Sequence, residues 1–92
     1  MLEKIKSRLG IAPGITVYDD EINSLIEHAK FDMRESGVPQ SMIDEESAPI
    51  LNTVTFFVKR DMSEDVRTAE RYDKLYACSV FRLALYEPIE EV

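Results

Sequence analysis

Apolar residues recur at helical spacing along almost all of this chain. The clearest stretch runs from Tyr18 to Pro39. Ile22, Leu25, Ile26, Ala29 and Met33 fall at the i, i+3, i+4, i+7, i+11 positions that line one face of a helix. Asp19, Asp20 and Glu21 stand at its front, where negative charge suits the helix dipole and Asp19 can cap a free N–H. Ser36-Gly37-Val38-Pro39 supplies the stop. Gly37 can turn left-handed, Val38 can fold back on Met33, and Pro39 cannot continue the ladder.

The same pattern predicts three more helices. A short first one carries Leu2, Ile5 and Leu9 on one face and ends at Gly10. Ile11 to Val17 reads as a loop around the Pro13-Gly14 turn, with Ile11, Ile15 and Val17 expected to pin it to the core. A third helix is expected from Ser47, an N-cap, through Pro49 in its first turn. Ile50, Leu51, Val54, Phe57, Val58 and Met62 give it a wide apolar face, with Phe56 off that face. Its Thr, Val and Phe favour strand by propensity, but the 3–4 spacing holds to Met62 and packing overrides propensity. The fourth and longest helix is expected from Ser63 to Pro88, striped by Val66, Ala69, Tyr72, Tyr76, Val80 and Leu83, with Glu70 and Lys74 placed to pair. Between Val38 and Glu46 lies a connector anchored by Met42 and Ile43. At this length it is a candidate contact surface. The expected fold is all-α: a small four-helix domain over residues 1–87 with an acidic tail at 88–92.

The second half of the last helix is apolar nearly all round, since Leu75, Phe81, Ala84, Leu85 and Tyr86 widen the stripe. A helix covered on one side has no need of that. Either this half is central to the fold, or part of it faces another subunit.

Composition narrows the function classes. A chain of 92 residues is one domain that buries only roughly 60–65% of its unfolded surface, so partners would add stability. A net charge of −7 disfavours wrapping nucleic acid, which takes a basic surface. The one cysteine, Cys78, sits in an apolar run and reads as a small buried thiol in a protein made in a reducing cytoplasm. No segment reads as a signal peptide or a membrane span. The one histidine, His28, follows Glu27 on a solvated side, and no base, nucleophile or glycine loop accompanies it. Asp44-Glu45-Glu46 lacks the spacing of a calcium loop. Nothing meets the requirements of a catalytic, cofactor or metal site. Arg67 and Arg71 are like charges one helical turn apart. They pair with Glu64 or Glu70, or they meet an acidic patch on a neighbour such as Asp44, Glu45 and Glu46. Those five residues, with Phe81 and Tyr86, are the candidate subunit-interface residues.

The order of parts carries a resemblance. A short helix and a turn precede Tyr18-Asp19-Asp20-Glu21-Ile22-Asn23-Ser24-Leu25-Ile26-Glu27-His28-Ala29. The apolar helix Ile50–Met62 follows, then a last helix with spaced tyrosines, Tyr72 and Tyr76. From Leu2 to Tyr86 this is similar to the small phage head–tail connectors, the DNA-packaging or head-completion adaptors. The join at Arg60-Asp61-Met62-Ser63 is tight and polar where members often carry a Gly or aromatic segment. The resemblance implies an all-helical, non-catalytic subunit of the virion at the head–tail junction. It implies a homo-oligomeric ring, commonly a dodecamer, that meets the portal on one side and a tail or head-completion protein on the other. DNA would pass through without specific binding. The alternative reading is a small helical interaction or regulatory module that binds a partner through the last helix and the C-terminal tail.

Overall fold

The computed structural model describes residues 1–85, which form five helices: α1 (Leu2–Leu9), α2 (Asp19–Glu35), α3 (Gln40–Glu45), α4 (Ala48–Met62) and α5 (Val66–Ala84). No strand occurs among the described residues, so the segment Thr53–Val58 is helical despite its β-prone composition. Thr53 and Thr55 are accommodated by donating their hydroxyls to the carbonyls of Pro49 and Leu51, 2.7 Å away in each case. This back-bonding leaves no buried hydroxyl without a partner.

Both predicted glycine stops form. Gly10 and Gly37 have φ of 77° and 99°. After α2, the Val38 N–H bonds Met33 O at 3.0 Å and the Gly37 N–H bonds Arg34 O at 3.1 Å. Val38 and Met33 are both buried. These are the two bonds and the apolar contact of a Schellman stop.

The helix starts depart from expectation. Asp19 is the first residue of α2 and caps nothing. Its Oδ1 lies 2.9 Å from the ammonium of Lys6, whose side chain is only 1% exposed. The contact is out of hydrogen-bond alignment, so charge alone holds the buried oxygen. Ser47 precedes α4 in an extended conformation but makes no side-chain cap bond. The fourth predicted helix begins at Val66 rather than Ser63. Asp65 is its cap, accepting from Thr68 N at 3.1 Å and Thr68 Oγ1 at 2.7 Å. Ser63 instead bridges the backbone of Asp65.

The connector is also helical. Pro39 fixes the entry, its carbonyl accepts from Met42 and Ile43, and Gln40 donates to Asp44 one turn on. Ile43 is buried and Met42 partly so, which anchors α3 as expected. Pro39 therefore starts a helix rather than ending order. Ile11 packs against the core, but Ile15 and Val17 are 47% and 78% exposed and pin nothing.

The helix that the others surround is α4, which contacts α1, α2 and α5. Its Ile50, Leu51, Val54, Phe57 and Val58 are buried with Ile5, Ile22, Ile26, Ala29 and Met33. The last helix is not the central one. It lies antiparallel along α4, as three steps of one register show. Arg60 bonds Asp73 at 2.9 Å, the Phe57 and Tyr76 rings meet edge to face at 5.1 Å, and the hydroxyls of Thr53 and Ser79 touch.

Candidate functional site

Only one side of α5 is used by this packing. Tyr76, Val80 and Leu83 are buried, with Tyr72 and Ala69 partly so. Turned away from them, Arg67, Arg71, Lys74, Cys78, Phe81 and Leu85 recur at intervals of three and four. They fall within one stripe about 80° wide. Every one of them is exposed, Phe81 by 64% and Leu85 by 65%. The stripe is basic in its first half and apolar in its second. The breadth of apolar residues near the end of α5 thus reflects an uncovered face, not a central position.

Arg67, Arg71 and Phe81 come together on this stripe. Among the described residues no ion pair includes Arg67 or Arg71, and Glu70 does not pair with Lys74. Arg71 instead rests its guanidinium 5.6 Å from the Tyr72 ring centre. Arg67, Glu70, Arg71, Lys74 and Leu75 line an open depression of about 470 Å³. Cys78, expected buried, is exposed on the same stripe. The apolar run around it misled: Ala77 and Phe81 are exposed beside it. A helical wheel of α5 would have found it, because Cys78 sits half a turn from buried Tyr76 and Val80.

The acidic candidates sit elsewhere and are partly occupied. Asp44 accepts from Gln40 at 2.8 Å. Glu46, left-handed at φ 50°, accepts from the Lys30 ammonium at 2.9 Å. That hydrogen bond holds its carboxyl below the usual range. Glu45 is exposed at the end of α3. Tyr86 lies outside the described residues, as does the 88–92 tail.

A second depression, about 390 Å³, lies between the end of α2 and the second half of α5. Its polar wall is already paired. The Tyr76 hydroxyl donates to Asp32 at 2.6 Å, and Arg60 bridges Asp61 and Asp73 at 2.9 Å each. Burial, and then the Asp32 bond, push the Tyr76 phenol far above its ordinary value, so it is a fixed donor rather than a proton relay. His28 is exposed and sets its ring against Phe57 at 5.2 Å. Among the described residues no group of three or more His, Cys, Asp or Glu could hold a metal ion, and no helix is long and apolar enough to cross a membrane.

What remains is the exposed stripe of α5. No curated protein and no solved structure matches the chain. A family model described as phage connector protein matches residues 1–89, which takes in all five helices and the α5 stripe. The chain belongs to the phage connector protein family.

Proposed function

We propose that this connector is a structural, non-catalytic subunit of the head–tail junction of a phage or prophage particle. Copies form a ring below the portal, link the capsid vertex to the tail, and line the channel through which DNA leaves. The observation that carries this reading is the α5 stripe, a full-length helix face that the described residues leave exposed in a chain of the connector family. Two further apolar groups are exposed far from it in sequence, Phe31 at 52% and the turn at Val17 and Tyr18. A surface that must meet different neighbours on two sides suits heterologous contacts, which close into a ring when repeated about an axis. Association would add the burial that a chain of this size lacks, in proportion to concentration. A charge of −7 per copy, repeated around a channel, would repel phosphates and let DNA slide.

Light scattering on the full chain, alone at high concentration and with the cognate portal protein, tests this. Rings visible by electron microscopy in either sample are the expected result. A strict monomer that ignores the portal would overturn the reading.

A further inference from the structure

The basic half of the α5 stripe calls for an acidic partner, and the chain itself supplies one. Arg67, Arg71 and Lys74 gather three cations on one exposed face, with Leu75 in the same depression and Glu70 the sole carboxylate among its lining residues. Such a surface fits a short segment that alternates carboxylates with apolar side chains. Glu87-Pro88-Ile89-Glu90-Glu91 is that kind of segment, with three glutamates and one isoleucine in five residues. The other acidic runs are weaker matches: Asp44 and Glu46 are bonded to Gln40 and Lys30 within their own subunit, and Asp19-Asp20-Glu21 is fixed in the first turn of α2 with Asp19 on Lys6.

Reach limits how much of the depression the segment can cover on its own copy. Glu91 is six residues beyond Leu85, a span of at most about 21 Å when fully extended. Along α5, Arg71 lies about 21 Å back from Leu85 and Arg67 about 27 Å, at 1.5 Å per residue. A segment that reversed at once and lay straight back along its own helix would bring Glu91 level with Arg71 and leave Arg67 uncovered. A neighbouring copy has no such limit.

We propose that residues 87–91 of one copy lie across the Arg67–Arg71–Lys74 depression of the next, with the glutamates on the three cations and Ile89 against Leu75. This rests on the assembly of copies argued above and assigns one of its contacts. Charge pairing of this kind fixes register and steers association more than it adds affinity, so it would set the rotation between successive subunits.

The test is disulfide trapping in the full chain with Cys78→Ser. Paired cysteines at Glu70→Cys and Ile89→Cys should oxidise to a ladder of covalent multimers. Adding Arg67→Glu and Arg71→Glu should cut the ladder at least fivefold, and 0.5 M salt should weaken it similarly. Glu45→Cys with Glu70→Cys should stay monomeric. An internal link at monomer mass, no link, or a ladder only from the Glu45 pair would overturn the proposal. Light scattering before oxidation separates the two levels. Rings without a ladder defeat this contact alone, whereas no rings with or without the portal defeat the ring itself.

Discussion

Helices α4 and α5 lie side by side yet place their apolar residues in opposite ways. In α4 apolar positions extend over most of the circumference, and seven of its residues are buried: Ile50, Leu51, Thr53, Val54, Thr55, Phe57 and Val58. In α5 three are buried, while Leu75, Phe81 and Leu85 are exposed. Apolar breadth does not separate α4 from the second half of α5, because both read as apolar over most of their circumference. Position in the fold does. Three helices close around α4, whereas among the described residues α5 packs mainly on α4 and leaves its opposite face exposed. Apolar breadth in α4 therefore serves the fold, and in α5 it is free to serve contact.

The largest test of that difference is at Phe57. Its ring is 2% exposed and meets Tyr76 and His28 edge-on, with the Arg60 guanidinium 4.4 Å from its centre. Phe57→Ala should cost about 3–5 kcal/mol, from lost burial plus the cavity left behind. Against a total of about 5–15 kcal/mol, the midpoint of urea unfolding should fall by at least about a fifth. A cost under about 1 kcal/mol would mean that α4 is not the enclosed helix.

Next is the seam itself. Tyr76→Phe removes the donor to Asp32 and should cost about 1–2 kcal/mol, since the carboxylate loses a charged hydrogen bond in a half-buried place. The pH dependence has a definite sign. The folded phenol binds its proton more tightly than the unfolded one, so this contribution is fully present below the unfolded value near 10. It is lost as pH rises through the folded value. Stability should fall above about pH 10 in the parent protein, and less steeply in Tyr76→Phe.

Much of this architecture was legible because it rests on local chemistry. The α2 ladder and its Gly37-Val38 stop need only residues within one turn, and they form as read. The helical state of Thr53–Val58 was legible through spacing, against propensity. What the sequence hid depends on who the neighbours are. Asp19 read as a helix cap, and only the packing of α1 on α2 makes it the partner of Lys6 in an ion pair. Cys78 looked buried because it lies in an apolar run, yet the buried members of that run, Tyr76 and Val80, face the other way. Arg67, Arg71 and Phe81 were named singly as contact residues. That they share one stripe was implicit in their spacing, whereas its lack of a covering helix was not.

A smaller effect is expected where the α4–α5 seam is polar. Ser79 meets Thr53, whose hydroxyl also bonds Pro49 O. Ser79→Ala removes one partner and leaves the other, so its cost should be about 0.5–1 kcal/mol. Two variants in series, Ser79→Ala and Tyr76→Phe, should show whether the seam acts as independent contacts. Their partners differ but their side chains are one turn apart, so costs that add to within about 0.5 kcal/mol would mark independent contacts and a larger departure a coupled seam.

The smallest change in stability gives the sharpest contrast with Phe57. Phe81 has the same side chain on the neighbouring helix but is 64% exposed, at the edge of the depression between α2 and α5. Phe81→Ala should leave monomer unfolding within about 0.5 kcal/mol of the parent. Its effect should instead appear in assembly. An aromatic ring that becomes buried between copies contributes about 1.5–3 kcal/mol per contact, which corresponds to at least a tenfold rise in the concentration at which light scattering detects multimers. The exposed stripe is then a binding face because its residues are silent in folding and strong in association. If Phe81→Ala destabilised the monomer as Phe57→Ala does, both helices would be core helices and the distinction drawn here would vanish. If it changed neither quantity, the apolar half of α5 would be ordinary surface, and the ring would have to be held by other residues.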